Sequence, residues 1–308
     1  MASLQDTRVE LQGWQASSIG FLIRRAQTIY DASLHAEHVG KKWELNDIQF
    51  QGLVILSEIG VEDQVTLARQ LGVTKTSATR LVDGLERLGL ASRRRSDDRR
   101  RFGLTLTPAA EELIRHEWNG RRRAEARLFS VISEEESQFM IDKMSALVRQ
   151  CASQAPTWEP ALHPGGKGQD VLHDLYRTVE FLMRRSGQIG RALAYEIVGP
   201  MDFTEGQAKA LFVICMQDHV DLSLLTSAFA SERPTLAKIL QSLEAKSWIV
   251  RGRHPVDARR LAISATPAGI EALSSVRHVW DHCERRMADA IGPASYAELK
   301  RVLVRLAD

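Results

Sequence analysis

The stretch from Val65 to Ala110 reads VTLARQLGVTKTSATRLVDGLERLGLASRRRSDDRRRFGLTLTPAA. Residues 67–71 have the apolar spacing of a short helix, and a Gly-Val turn follows them. Residues 74–77 then supply hydroxyl groups that can cap a second helix, which we expect to end at Gly89. Two short helices joined by a tight turn, the second polar at its N-terminal end, are typical of a helix-turn-helix.

A basic hairpin follows the second helix. Residues 91–95 are predicted to form its first strand, and Ser96-Asp97-Asp98 its turn. In the returning strand, residues 103–107, leucine alternates with polar residues, as in a strand with one buried face. A helix-turn-helix followed by such a hairpin is a winged helix, so the sequence predicts this fold for residues 65–110.

This ordered set of residues closely resembles the MarR family of bacterial regulators. The matching residues are Leu67-Ala68, Leu71-Gly72-Val73, Leu85-Glu86, Gly89-Leu90, Asp98-Arg99-Arg100 and Leu104-Thr105-Leu106-Thr107-Pro108. MarR proteins are usually homodimers in which the N- and C-terminal helices of both subunits interlock. The resemblance therefore implies a mainly α fold with small β-wings that binds DNA.

Composition restricts the possible functions. At 308 residues the chain is about right for two such domains, and 44% hydrophobic residues suffice for globular cores. The net charge is only +2, but residues 93–101 hold six arginines against two aspartates. Cys151, Cys215 and Cys283 form neither a metal-binding spacing nor a disulfide framework. Because neither a signal pattern nor a membrane-spanning apolar run is present, we expect a cytoplasmic protein without metal or cofactor.

Further helices are predicted on both sides of the winged helix. Residues 11–38 have the apolar spacing of one long helix, and Asn46-Asp47 can cap the next, which runs to about Ile59. Pro108 suits the first turn of a helix, and Ser133-Glu134-Glu135-Glu136 is a capping-box start for another.

The pattern of the first half begins again after a linker. Residues 153–169 hold three prolines and three glycines, and they separate a domain at 1–152 from a second domain at 170–308. Corresponding segments are Phe21-Leu22-Ile23-Arg24-Arg25 with Phe181-Leu182-Met183-Arg184-Arg185, and Asp98-Arg99-Arg100-Arg101 with Asp257-Ala258-Arg259-Arg260. This internal repeat predicts two winged helix-turn-helix domains with an interlocked helical region of the dimerisation type. One chain would then act as a pseudo-dimer.

The predicted chemistry is recognition of double-stranded DNA at a pseudo-palindromic operator. A recognition helix places its N-terminal residues at base edges in the major groove, and wing arginines suit phosphates and the narrow minor groove. Predicted contacts of the first copy are Thr74, Lys75, Thr76, Ser77, Thr79, Arg80, Arg93, Arg95, Asp98, Arg99, Arg100 and Arg101. Those of the second copy are Arg233, Thr235, Lys238, Arg251, Arg253, Asp257, Arg259 and Arg260.

Two alternatives qualify these contacts. Arginine runs are usually solvated faces, but a position in a hairpin after a helix-turn-helix favours DNA contact. For a second set of arginines, an exposed helix face or a phosphate-contacting rim is favoured over base reading. That set is Arg115, Arg121, Arg122 and Arg123. The second copy departs from the pattern, because Phe229-Ala230-Ser231 replaces the Leu-Gly-Val turn and Pro234 enters its recognition helix.

The resemblance also implies a ligand pocket, because many MarR proteins release DNA on binding small aromatic acids. Candidate lining residues are Trp14, Arg24, Tyr30, His35, His38, Trp43 and Trp118. An arginine or histidine could hold a carboxylate while aromatic side chains cover the ring, although Trp and Tyr at helical spacing are usually core or interface residues. Relatives that sense peroxides carry a reactive Cys near the start of the first helix, where this chain has none. Cys215 is instead expected to be a small buried side chain.

Three functions compete on this evidence. The favoured one is a ligand-responsive transcription regulator, most often a repressor in this family. The alternative is an architectural DNA-binding protein without a small-molecule response. An enzyme is disfavoured, because the sequence has no nucleophile motif, no glycine-rich phosphate loop and no metal cluster.

Overall fold

A computed structural model describes residues 18–38, 45–60, 64–95, 102–154, 156–160, 168–198, 204–216, 220–222, 225, 233–253 and 261–307. The first winged helix and its flanking helices are α1 (Ile19–His38), α2 (Asp47–Ile59), α3 (Gln64–Leu71), α4 (Lys75–Arg87), β1 (Ala91–Arg95), β2 (Phe102–Leu106), α5 (Pro108–Phe129) and α6 (Glu134–Gln150). The later elements are α7 (Gln169–Leu175), α8 (Val179–Val198), α9 (Glu205–Cys215), α10 (Arg233–Ala245), β3 (Ile249–Arg253), β4 (Leu261–Ala265), α11 (Pro267–Ile291) and α12 (Pro293–Ala307). None of these helices is long and apolar enough to cross a membrane.

The region quoted first folds as a winged helix. Helices α3 and α4 pack on each other and on α2, and their inner leucines, Leu67, Leu71 and Leu85, are fully buried. Gly72 makes the turn between them with a φ of 61°, a left-handed conformation that glycine adopts without a steric penalty. Strands β1 and β2 pair antiparallel, from Ala91 opposite Leu106 to Arg95 opposite Phe102. The predicted helix-turn-helix and hairpin are therefore confirmed.

Helices from both ends of the chain pack together. Helix α1 packs against α5 and against α12, and α12 also packs against α6. Arg305 of α12 forms an ion pair with Glu136 and donates to the Val131 carbonyl at 2.9 Å. The last helix of the chain therefore completes the helical layer that flanks the first winged helix.

The chain divides into two compact units. The larger unit consists of Ile19–Ala192 together with Met287–Asp308, and the smaller one centres on Leu193–Arg286. The core of the smaller unit is built from α9, α10 and the β3–β4 hairpin, and it includes Cys215, which is buried as predicted. Residues 226–232, which hold the unusual Phe-Ala-Ser turn, lie outside the described residues.

The hairpins of the two units share a hydrogen-bond pattern. The amide of Thr107 donates to the Leu90 carbonyl at 3.1 Å, and the amide of Thr266 donates to the Trp248 carbonyl at 3.0 Å. In both units the recognition helix is thereby joined to the start of the following helix across the base of the hairpin. The positions involved agree with the sequence repeat to within one residue.

Local sequence signals mark the helix ends correctly. Ser133 forms the predicted capping box at the start of α6. Asn46 caps α2 as predicted, and does so through a capping box with Gln49, while Thr74 caps α4. Pro108 occupies the first turn of α5. Residues 156–160 of the linker do more than connect the two domains, because they pack against α3 through the buried Trp158.

Candidate nucleic-acid interface

The N-terminal end of α4 presents a polar face. Its opposite face buries Ala78, Leu81, Val82 and Leu85, which fixes the helix on the core. Lys75, Thr76 and Arg80 are exposed, and within the described residues their side chains have no hydrogen-bond or ion-pair partner. Three side chains that are able to donate hydrogen bonds therefore project from the first turns of the helix.

The other hydroxyl residues of this end have structural partners. The Thr74 hydroxyl accepts from the Ser77 amide at 3.2 Å and lies 2.9 Å from the Ser77 hydroxyl. The Thr79 hydroxyl lies 3.0 Å from both the Gln64 side-chain oxygen and the Lys75 carbonyl. Thr74 thus caps α4, and Thr79 joins α4 to the first residue of α3. Among the six residues predicted at this end, Lys75, Thr76 and Arg80 are exposed and have no such partner within the described part of the chain.

The first arginine of the wing is held by carboxylates. Arg93 in β1 lies 2.6 Å from Asp83 and 2.5 Å from Glu86, and its amide donates to Glu86 at 3.1 Å. In the smaller unit Arg251 in β3 pairs with Glu244 at 3.1 Å. Both arginines were predicted to contact DNA, and the structure shows that each connects its hairpin to its recognition helix.

Most of the other predicted DNA contacts lie outside the described residues. The side chain of Arg95, and all of Asp98, Arg99, Arg100 and Arg101, lie outside the described residues. The same holds for the side chains of Arg233 and Thr235, and for Asp257, Arg259 and Arg260. Lys238 on α10 and Arg253 on β3 are described, and both are exposed.

The residues predicted to line a ligand pocket divide into two groups. Arg24 and His35 are exposed on α1, whereas Tyr30 and His38 are buried and Trp118 is half-buried. Trp14 and Trp43 lie outside the described residues. The buried residues Tyr30 and His38 contact a group of charged side chains that lies between α1, α2, α5 and α8.

That group, which we call the ion cluster, consists of Tyr30, Asp47, Glu117, Arg121 and Glu180. Arg121 lies 2.9 Å from Asp47 and also pairs with Glu180, while Tyr30 donates to Glu180 at 2.6 Å. The Glu117 carboxylate lies 3.7 Å from Arg121 and 3.0 Å from the His38 Nε2 atom. Arg121 also donates to the Leu45 carbonyl at 3.0 Å and covers the Phe50 ring at 4.4 Å.

Burial controls the protonation of the ion cluster. Burial raises the pKa of Glu180 to about 7, although the neighbouring Arg121 charge lowers it. Burial alone would lower the pKa of Arg121, but the charges of Glu180 and Asp47 outweigh that effect and raise it above its usual range. Arg121 is therefore a permanent buried cation.

The prediction of an exposed Arg121 is wrong. Its side chain is 3% exposed, whereas Arg115, Arg122 and Arg123 are exposed as predicted. The sequence spacing does indicate burial of Arg121, because this residue lies seven positions from both Ile114 and Leu128 and so falls on the apolar stripe of α5. An arginine there needs buried acidic partners, and sequence reasoning did not search for them.

Three comparisons relate the chain to known proteins. A family profile described as the MarR family matches residues 45–102. The chain is 30% identical over 124 residues to a putative transcriptional regulatory protein for the hcr operon of Thauera aromatica, covering 40% of this chain and 75% of that protein.

Solved structures give further similarities. Wild-type MarR from Escherichia coli in its apo form is 21% identical, with a TM-score of 0.38, over 40% of this chain and 90% of that one. BpsR of Bordetella bronchiseptica, whose DNA binding is regulated by 6-hydroxynicotinic acid, is 20% identical, with a TM-score of 0.38, over 43% of this chain and 95% of that one.

Proposed function

The chain belongs to the MarR family of transcriptional regulators, and we propose that it binds a specific duplex DNA sequence through α4 and the β1–β2 hairpin. The observation that carries this proposal is the exposed polar face at the start of α4, formed by Lys75, Thr76 and Arg80, whose side chains have no partner among the residues that the structure describes. Side chains at the N-terminal end of a recognition helix reach base edges when the helix lies in the major groove. Thr76 can discriminate bases, whereas the cations contribute mainly through phosphates or guanine.

Selection of bound duplexes from a random pool tests this proposal. On the selected site, Lys75→Ala is expected to weaken binding and to reduce the slope of log affinity against log salt by about one. Lys143→Ala, which removes the same charge from α6, is the matched control and should bind like the wild type. Failure of the wild-type protein to enrich any sequence would refute the proposal.

Substitutions in α4 and in the wing should have different effects on DNA binding. Thr76→Ala is expected to change which bases are selected, because the methyl group that remains cannot donate to a base edge. Arg100→Ala is expected to weaken binding equally across sequences, because a wing arginine contacts phosphate or the minor groove. Wild-type affinity and salt slope for Arg100→Ala would contradict the wing assignment.

We also propose that one chain acts as a pseudo-dimer on one operator. The repeated hairpin hydrogen bonds support this, as does the packing of α12, from the end of the chain, against α1 and α6. An ordinary two-fold dimer reads both half-sites with identical residues, whereas fusion removes that constraint. Analytical ultracentrifugation should find one chain per minimal site, and operator scanning should give different profiles in the two halves. Two chains per site would contradict the idea.

The finer proposal concerns regulation: the protein is a repressor that a small aromatic carboxylate releases from DNA. Tyr30 and His38 lie at the ion cluster, where Tyr30 donates to Glu180 and His38 lies 3.0 Å from Glu117. An aromatic carboxylate would reach Arg121 there by displacing one of the carboxylates that now pair with it. A ligand releases DNA only if it binds the DNA-free arrangement more tightly. Benzoate and hydroxybenzoates should lower operator affinity and raise the melting temperature, whereas cyclohexanecarboxylate should do neither. No effect of any of these acids would favour the architectural alternative.

A further inference from the structure

The C-terminal end of α3 is capped by a distant part of the chain. An α-helix leaves its last carbonyl groups without donors from its own backbone. In α3 the Arg69 carbonyl accepts from the Glu159 amide at 3.0 Å, and the Gln70 carbonyl accepts from the Trp158 indole at 3.0 Å. The Leu71 carbonyl accepts from Arg184 at 2.9 Å. The three last carbonyls of α3 thus each have a donor from the linker or from α8, the first long helix of the second repeat.

We call the described residues 156–160 and 168–188 the junction. Its side chains reinforce the backbone contacts, because the Tyr176 hydroxyl donates to the Gln70 side chain at 3.1 Å. The Trp158 ring is buried and meets the rings of Tyr176 and Phe181 at centroid distances of 5.3 and 5.5 Å. The donor nitrogen of Trp158 is therefore held in place by aromatic packing.

The junction also approaches the turn of the helix-turn-helix. A β-carbon added to Gly72 would lie 3.2 Å from the Arg185 guanidinium nitrogen. Arg185 is fully buried and donates to the Gln154 carbonyl at 3.1 Å. Arg184 is fixed from the other side, because it also donates to the Gln51 side chain at 2.9 Å. Both arginines therefore contact the turn from anchored positions.

External support of this kind matters because α3 is short. With eight residues it is well below the length at which an isolated helix is stable in water. Its last residue, Leu71, precedes the start of α4 at Lys75 by only four positions. A displacement of the end of α3 would consequently move the residues proposed to reach DNA bases.

We propose that the junction is a clamp that fixes the orientation of α3, the turn and α4, so that Trp158, Tyr176 and Arg184 are positioning residues for DNA recognition. None of the three carries a proposed DNA contact. This inference rests on the proposed DNA binding, and it adds that the linker and the start of the second repeat position the first winged helix for DNA recognition. Loss of a clamp donor removes a hydrogen bond from a carbonyl at the end of α3, which loosens the turn.

Two substitutions remove clamp donors with little change in shape. Trp158→Phe keeps a ring but removes the indole donor. Arg184→Met keeps the length of the side chain but removes its hydrogen bonds, including those to the Leu71 carbonyl and the Gln51 side chain. Arg177→Met is the matched control, because Arg177 follows α7 and pairs with Asp142 at 2.7 Å, away from α3. Hydrogen exchange of the DNA-free proteins is the first measurement. The Gly72 and Val73 amides should exchange about tenfold faster in both clamp variants, and at the wild-type rate in the control.

DNA affinity is the second measurement. Both clamp variants should bind the selected duplex about tenfold more weakly with an unchanged salt slope, because no phosphate contact is lost. Base substitutions in the operator half that α4 reads should reduce the DNA affinity of the clamp variants by a smaller factor than they reduce that of the wild type. A general loss of stability would not produce this difference. Wild-type exchange or wild-type affinity in both variants would overturn the clamp. If the wild type selects no DNA, the proposed function fails, whereas unchanged exchange alone identifies failure of the clamp.

Discussion

Replacement of Arg121 by Met should destabilise the larger unit severely. The substitution keeps the length and apolar stem of the side chain but removes the only cation that contacts both Asp47 and Glu180 among the described residues. Both carboxylates and the Leu45 carbonyl then remain buried or half-buried without that donor. Removal of one partner from a buried ion pair costs about 3–5 kcal/mol, and loss of the cation over the Phe50 ring adds to it.

The adjacent residue supplies the control for this experiment. Arg122 is 68% exposed and lies 3.9 Å from Asp174, so Arg122→Met should change the free energy of unfolding by no more than about 1 kcal/mol. Urea unfolding followed by circular dichroism and tryptophan fluorescence gives both values. A double variant, Arg121→Met with Glu180→Leu, should recover part of the loss, because it removes one unpaired charge. Losses that agree within 1 kcal/mol for the two single variants would refute the buried ion cluster.

Three further predictions follow from the geometry. First, the raised pKa of Glu180 means that the native state retains a proton that the unfolded chain has already lost, so the free energy of unfolding should fall by up to about 3 kcal/mol between about pH 5 and pH 8. Glu180→Gln should lack this slope, and parallel pH profiles for variant and wild type would contradict it. Second, Ser247 has a φ of 58° where the first hairpin has Gly89, so Ser247→Gly should stabilise and Gly89→Ser should destabilise by about 0.5–1 kcal/mol each. Thermal shifts of the same sign would refute this reading. Third, Gly72→Ala should cost more than 1 kcal/mol, because it adds a contact with Arg185 to an unfavourable φ; a wild-type melting temperature would count against the close approach.

Features with a local cause could be predicted from the sequence. The capping boxes at Asn46 and Ser133 form between residues three positions apart, so the residues that create each signal stand together in the chain. The hairpin and the turn at Gly72 depend on neighbouring residues in the same way. These elements were therefore placed to within about one or two residues, which is the usual uncertainty of helix ends.

Contacts between distant segments could not be predicted. The partner of Arg121 in α8 lies 59 positions further along the chain, and the Trp158 indole reaches back 88 positions to Gln70. The three prolines and three glycines of residues 153–169 predicted a simple linker, but a single tryptophan with an apolar ring and one donor suffices to dock residues 156–160 on α3. A charged residue on an apolar stripe, or an aromatic residue in a linker, indicates that another part of the chain contacts it. The sequence pattern does not identify that part.

Some of the wing arginines fix the hairpin on the preceding helix. A run of six arginines suggests a surface devoted to DNA, yet Arg93 is held by Asp83 and Glu86 of α4, and Arg251 has the equivalent pairing with Glu244. A charge-assisted pair with two carboxylates fixes β1 on the helix that precedes it. Helix and hairpin then move together, so any displacement at the start of α4 is transmitted to the wing. If the proposed clamp holds, a displacement at the end of α3, where the donors of the junction meet the three last carbonyls, reaches both α4 and the wing.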